Sequence, residues 1–268
     1  MFFKDYYEQE SPSEAARSYH AEVIRRGAAV TGDEVRYGSD PYQSLIVFRA
    51  AKSNASPMLA FFHGGGWTNG YKEWMSFMAP ALTGAGVTFA SVGYRLAPRH
   101  VFPAGFDDAC AGVQWLSENA ERYGASSDRL FVGGHSAGGH YAALMALTRP
   151  ALKIRGCLTV SGVYDFGPQS GLSARPRFLG HSDTANDIAA SPIENVHANP
   201  CPFLIAHGSD DFPHLIRQAK RMAETLASEG GDVERVVLEG HNHFTASYAC
   251  GNAGGPWAAR ALDWIARH

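Results

Sequence analysis

The run Leu130-Phe131-Val132-Gly133-Gly134-His135-Ser136-Ala137-Gly138-Gly139-His140 constrains the fold more than any other part of the chain. Apolar residues lead into paired glycines, a serine and two further glycines, and Tyr141 to Leu147 continue as an apolar segment of helical length. This order predicts a strand over Leu130 to Val132, a sharp turn, and a helix from Ala137 to Thr148. In Gly134-x-Ser136-x-Gly138 the flanking glycines allow a turn so tight that the serine sits at its apex with its hydroxyl exposed. The start of the following helix points at the same place, so free N–H groups and the positive end of the peptide dipoles face any negative charge that forms beside Ser136. In a chain with 29 glycines such a pattern also arises by chance. An ordinary glycine-rich strand-to-helix turn is the alternative, and the flanking sequence has to decide.

From Met58 onward, apolar strand signals alternate with helical patterns, which predicts parallel β-α-β construction. Strands are expected at Met58 to Phe62, Val87 to Val92, Leu130 to Val132, Gly156 to Val160, Pro202 to Ala206 and Val233 to Leu238. Helices are expected near Trp74 to Thr83, Asp107 to Tyr123, Ala137 to Thr148, Leu215 to Ser228 and Pro256 to Arg267. Upstream, Glu34 to Tyr37 and Ser44 to Phe48 flank the turn Gly38-Ser39-Asp40-Pro41 and read as an antiparallel edge pair. Ser11-Pro12-Ser13-Glu14 places a capping serine, proline at the first helical position and glutamate at the third, announcing a helix over Pro12 to Ala29. The aromatic residues before it (Phe2, Phe3, Tyr6, Tyr7) need burial, and a segment preceding the sheet could fold over its surface. Residues 165–200 are polar and proline-rich and break the alternation; they are expected to form an excursion over the site, part helix and part loop. The whole of residues 1–268 is expected to form one domain, with a mostly parallel central sheet of about eight strands and helices on both faces.

A net charge of −3 with interspersed signs offers no basic stripe for nucleic acid. Cys110, Cys157, Cys201 and Cys250 lie far apart, without a C-x-x-C pair, and read as buried thiols in a reducing compartment. The N-terminal residues carry charges where a signal peptide needs an apolar run, and no segment reaches membrane-spanning length. A soluble cytoplasmic protein with no membrane partner is the expectation; the sequence leaves its oligomeric state open.

His63-Gly64-Gly65-Gly66-Trp67 follows directly on the strand ending at Phe62, at the end of the sheet where Ser136 emerges. Successive glycines leave backbone N–H groups unshielded, as an oxyanion hole requires, and Gly65, Gly66 and Ala137 are the candidate donors. A phosphate loop is the alternative, but the G-x-G-x-x-G spacing is missing. A serine nucleophile needs a base, and the base an orienting carboxylate. The strand ending at Ala206 leads into His207-Gly208-Ser209-Asp210-Asp211, which offers two carboxylates. The last strand leads into Gly240-His241-Asn242-His243-Phe244, which offers two imidazoles; a metal held through His241 and His243 lacks a third ligand with supporting spacing. Trp67, Tyr94 and Phe178 are candidate substrate-pocket walls, with plain core packing as the alternative.

These stretches together resemble the α/β-hydrolase fold, and within it the hormone-sensitive-lipase-type esterases and the hydrolase-fold kynurenine formamidases (arylformamidases). The resemblance runs from about Phe61 to Phe244. It is carried by His63 to Trp67, Tyr94-Arg95-Leu96-Ala97-Pro98, Phe102-Pro103-Ala104, Gly134 to Gly139 and His207 to Asp211. It implies Ser136 as nucleophile, Asp211 as acid and His243 as base. It also implies Gly65, Gly66 and Ala137 as oxyanion donors, and an acyl-enzyme route needing neither cofactor nor metal. Lipase-type esterases usually have Asp before the nucleophile and His-Gly-Phe at the base; this chain has His135 and His-Asn-His-Phe. Those departures, with Ser161-Gly162-Val163-Tyr164-Asp165 and Ala190-Ser191-Pro192, are similar to the arylformamidase side. The expected substrate is a small-molecule ester or formamide. A thioesterase, lactonase or peptidase on the same residues is the nearer rival, and a non-catalytic ligand-binding protein of this fold the more distant one.

Overall fold

A computed structural model describes residues 6–51, 54–168, 170–172, 175–180, 184–198 and 200–268; Phe2 and Phe3 lie outside them. The strands are β1 (Asp33–Arg36), β2 (Ser44–Phe48), β3 (Ser56–Phe62), β4 (Thr88–Val92), β5 (Ala125–His135), β6 (Gly156–Val160), β7 (Phe203–Gly208) and β8 (Val233–Leu238). They form one sheet in the order β1-β2-β4-β3-β5-β6-β7-β8. The β1–β2 and β2–β4 pairs are antiparallel and every other pair is parallel. The helices are α1 (Glu14–Gly27), α2 (Ala79–Gly84), α3 (Ala104–Glu118), α4 (Ala137–Thr148), α5 (Arg175–Leu179), α6 (Thr184–Ala190), α7 (Pro213–Ser228), α8 (His243–Ala249) and α9 (Pro256–Arg267). Among the described residues no helix is long and apolar enough to cross a membrane.

Side chains of a strand alternate between the faces of a sheet, and β3 shows how this builds two cores. Met58, Ala60 and Phe62 pack with α3, α4 and α7 on one face. Leu59 and Phe61 pack with α1, α2 and α9 on the other. The central parallel strands are buried on both sides, which is why they read as apolar runs rather than alternating ones. Helix α4, apolar all round, is buried along most of its length beneath the sheet's central strands.

Some boundaries differ from the sequence expectation. The α1 cap is Ser13, whose hydroxyl accepts from the Ala16 N–H at 3.2 Å, rather than Ser11. The segment predicted as one helix from Trp74 divides into a 3-10 turn over Lys72–Met78 and then α2. Pro80 accounts for the break, since it supplies no N–H and its ring clashes with the carbonyl four residues before it. The expected Asp107 to Tyr123 helix starts earlier and stops at Glu118, followed by a short 3-10 turn that Gly124 ends at φ 69°. Strand β5 begins five residues before the expected start, because its exposed first half (Ser127, Asp128, Arg129) carries no apolar signal.

Candidate active site

Topology brings the ends of β3, β5, β6 and β7 to one edge of the sheet, and the candidate residues emerge there. Ser136 joins β5 to α4 with φ 56° and ψ −118°. A non-glycine residue there carries about 1–3 kcal/mol of strain, which the surroundings have to hold. Its N–H donates to the Val160 carbonyl at 2.9 Å and its carbonyl accepts from His140 at 3.1 Å. Gly138 explains why the turn needs glycine: a Cβ there would sit 2.1 Å from the Phe62 carbonyl oxygen.

His243 is the first residue of α8. Asn242 caps that helix, its side chain accepting from the Phe244 and Thr245 N–H groups while the Thr245 hydroxyl accepts from the Asn242 N–H. This cap sets where the imidazole starts. Nδ1 of His243 lies 2.9 Å from Oδ1 of Asp211 and Nε2 lies 3.0 Å from Oγ of Ser136. A carboxylate accepts only, so Nδ1 carries the proton and Nε2 presents its lone pair to the Ser136 hydroxyl. Asp211 follows β7 and is buried; it also accepts from the Phe212 N–H at 2.7 Å and from the Ser161 hydroxyl. Burial raises the Asp211 carboxyl, but the hydrogen bond and charge of His243, with the Ser161 and Phe212 donors, outweigh it and hold the group at about 2.

Asp210 and His241 do not join this chain of hydrogen bonds. Asp210 is exposed and, among the described residues, its side chain accepts only from its neighbour Ser209, while the His241 carbonyl accepts from the Asp210 N–H. Sequence reasoning missed Ser161; its place just after β6, on the edge where the other site residues gather, was the available signal.

The glycine loop after β3 runs beside Ser136. Gly65 has φ 111°, and a Cβ there would meet the Asn69 carbonyl at 2.0 Å. That close turn lets the Gly65 carbonyl accept from both Thr68 and Asn69. Among the described residues the N–H groups of Gly65, Gly66 and Ala137 have no partner within the chain. Gly65 and Gly66 line the cleft, while Ala137 is buried at the first position of α4, where an N–H has no partner in its own helix.

A cleft of about 1150 Å³ opens onto Ser136 and His243. Trp67 forms part of its wall, held by a 3.1 Å hydrogen bond from its indole N–H to Nδ1 of His140. The other two expected wall residues require correction. Tyr94 is fully buried, stacked on His63 at 4.3 Å, with its hydroxyl spent on the His63 carbonyl at 2.7 Å. Phe178 is buried behind Trp67 and stacks on it at 4.4 Å, supporting the wall without forming it. The wall on the other side comes from residues 6–20, whose place at the cleft the sequence left open. Gln9 fixes this strap by pairing its amide with both backbone groups of Gly70, at 2.9 and 3.0 Å, and the Glu10 carbonyl accepts from the Asn69 amide at 2.6 Å. Gly171, Leu172 and Arg177, from the predicted excursion, line the mouth, and Arg177 bridges to Glu10 at 2.6 Å. Among the described residues no three His, Cys, Asp or Glu side chains gather as a metal-ligand set.

Comparison with known proteins agrees with this architecture. A family described as alpha/beta hydrolase fold matches residues 59–247. Esterase LipC of Mycobacterium tuberculosis is 30% identical over 82% of this chain and 61% of its own length. Carboxylesterase NlhH of the same species is 44% identical over 91 residues, 34% of this chain and 28% of its own. The chain thus spans less than two thirds of the length of these relatives. Among solved structures, the carboxylesterase EstE1 from a metagenomic library superposes with a TM-score of 0.76 at 23% identity, covering 96% of each chain. Esterase 2 of Thermogutta terrifontis with butyrate bound gives 0.74 at 21% identity, covering 88% of this chain and 94% of that one. The chain belongs to the alpha/beta hydrolase fold family.

Proposed function

We propose that this protein is a serine hydrolase that cleaves small carboxylic esters through an acyl-enzyme. The observation that carries the reading is the continuous line Asp211–His243–Ser136, with both hydrogen bonds close to 3 Å and the serine lining a cleft. In this mechanism His243 Nε2 takes the Ser136 proton as Oγ attacks the ester carbonyl, and Asp211 keeps the imidazole in the required tautomer and faces the imidazolium that forms. The Gly65, Gly66 and Ala137 N–H groups receive the oxyanion. The imidazolium then protonates the leaving alcohol, and a water molecule, deprotonated by the same imidazole, releases the acid. The esterase names of the relatives support ester cleavage. N-formyl aryl amides are a second substrate class on the same groups, favoured by His135 ahead of the nucleophile and by the aromatic cleft wall of Tyr19, Trp67 and Trp74. The free cysteines fit a cytoplasmic setting.

The test is a panel of p-nitrophenyl acetate, butyrate and octanoate with N-formylkynurenine, run on the wild type and Ser136→Ala. The reading expects ester turnover that falls by about a millionfold in the variant, since the members of such a triad act as a unit. Substantial activity in a folded Ser136→Ala protein refutes it.

A further inference from the structure

The mechanism above gives no part to the residue immediately before the nucleophile. His135 ends β5, is 2% exposed and borders the cleft. Its Nε2 lies 3.0 Å from the main-chain oxygen of His243. A carbonyl oxygen only accepts, so Nε2 carries the proton and donates, and Nδ1 is left as a bare lone pair. That Nδ1 is buried without a partner among the described residues and faces Gly64, where an added Cβ would sit 2.9 Å from it. The His135 and His243 rings are 4.8 Å apart between centroids, and Tyr19 of α1 stacks on His135 at 5.9 Å.

We infer that His135 is a positioning residue for the base: its Nε2–H clamps the carbonyl of His243 and fixes the backbone from which that imidazole reaches Ser136. This rests on the roles proposed above for Ser136 and His243. The physical need is specific. His243 starts a helix of only seven residues, so the short cap at Asn242 and the clamp from β5 together hold the base against the strand that carries the nucleophile. A displacement of about 1 Å between reacting groups costs on the order of a hundredfold in rate. A histidine serves here because burial, and then the charge of His243, push it down to about 3 against the opposing pull of the His243 carbonyl and Asp211. It therefore stays a neutral donor and places no like charge beside the imidazolium formed during turnover.

Hydrolysis of p-nitrophenyl butyrate by wild type, Ser136→Ala, His135→Leu, His135→Gln and His135→Asn tests this, with thermal melts of each protein. The glutamine amide nitrogen reaches the place of Nε2, whereas that of asparagine reaches only the place of Nδ1, so the two differ in donor position rather than polarity. His135→Leu is expected to lose about tenfold to a hundredfold in kcat with KM within about twofold. His135→Gln is expected to recover to within about threefold of wild type, and His135→Asn to remain near the leucine variant. Wild-type kcat in His135→Leu, a loss carried by KM, equal rescue by asparagine and glutamine, or no rescue in a folded His135→Gln overturns the inference. Should His135→Leu fail to fold, the glutamine and asparagine pair decides alone. An active Ser136→Ala, or a wild type that cleaves no ester, overturns the proposed function and the inference with it; an inactive Ser136→Ala beside a fully active His135→Leu overturns the inference alone.

Discussion

Acidification to pH 5 is expected to destabilise this protein markedly through three buried histidines. His63, His135 and His140 are each essentially shut off from solvent. Each donates from one ring nitrogen to a backbone carbonyl: His63 to Gly64 at 2.7 Å, His135 to His243 at 3.0 Å and His140 to Ala190 at 2.7 Å. A second proton would have to enter at a buried nitrogen that faces no acceptor among the described residues or, in His140, already receives the Trp67 indole N–H. Burial accordingly pushes His63 down to about 4 and His135 and His140 to about 3. In the unfolded chain all three return to an ordinary value of about 6.5, so below that pH the unfolded state binds more protons than the folded one. Their contribution is complete above about pH 7 and is lost as the pH falls toward 4 for His63 and toward 3 for His135 and His140, at about 1.4 kcal/mol per group per pH unit in the middle of the window. Between pH 7 and 5 the three together remove on the order of 5 kcal/mol, comparable to the whole stability of many domains. Urea titrations followed by circular dichroism at pH 7, 6, 5.5 and 5 read this slope directly. These three groups alone are expected to take up about three protons on unfolding near pH 5. His140→Gln, which can still donate to Ala190 without titrating, should lower the uptake by about one. A slope of less than one proton in the wild type, or no change in the variant, refutes the reasoning.

Paired substitutions at the acid and base loops should separate neighbours. Asp211→Asn is expected to reduce kcat by about ten-thousandfold and His243→Ala by about a millionfold, while Asp210→Asn and His241→Ala stay within about twofold, measured on the same ester. Ser161→Ala removes one donor from the buried Asp211 carboxylate. A lost hydrogen bond to a charged group costs about 1.5–3 kcal/mol, so a lower melting temperature and a kcat reduced by about tenfold or more are expected. Gly138→Ala would drive a methyl into the Phe62 carbonyl. A loss of about 3 kcal/mol or more in urea unfolding is expected, because the clash is with backbone that has nowhere to move.

What the sequence made legible follows the physics of local patterning. Helix α4 and the strands β2, β6 and β8 lie where the apolar runs and glycines put them. The choice of His243 over His241 came from the resemblance, although the capping pair Asn242 and Thr245, which starts a helix at His243, was a local signal for it. The cleft wall had none. Gln9 and Gly70 are 61 positions apart, and nothing near either foretells that an amide side chain will pair with that backbone. Tyr94 and Phe178 fail for a related reason. An aromatic residue near a motif can face the cleft or the core, and the hydrogen bond to His63 that turns the Tyr94 hydroxyl inward is invisible until the chain has folded.

The strap of residues 6–20 and the stretch around Arg177 lie outside the sheet, yet they line much of the cleft. Ser136 and Asp211, proposed for bond cleavage, follow instead on β5 and β7 of the parallel ladder, and His243 opens the helix after β8. Recognition and chemistry thus draw on different parts of the stability of the molecule. An exchange of side chains along the strap alters which molecules are admitted without asking β5 or β7 to move. A library confined to Glu8, Glu10, Arg17 and Arg177 would therefore explore selectivity on a scaffold whose reactive geometry is left alone.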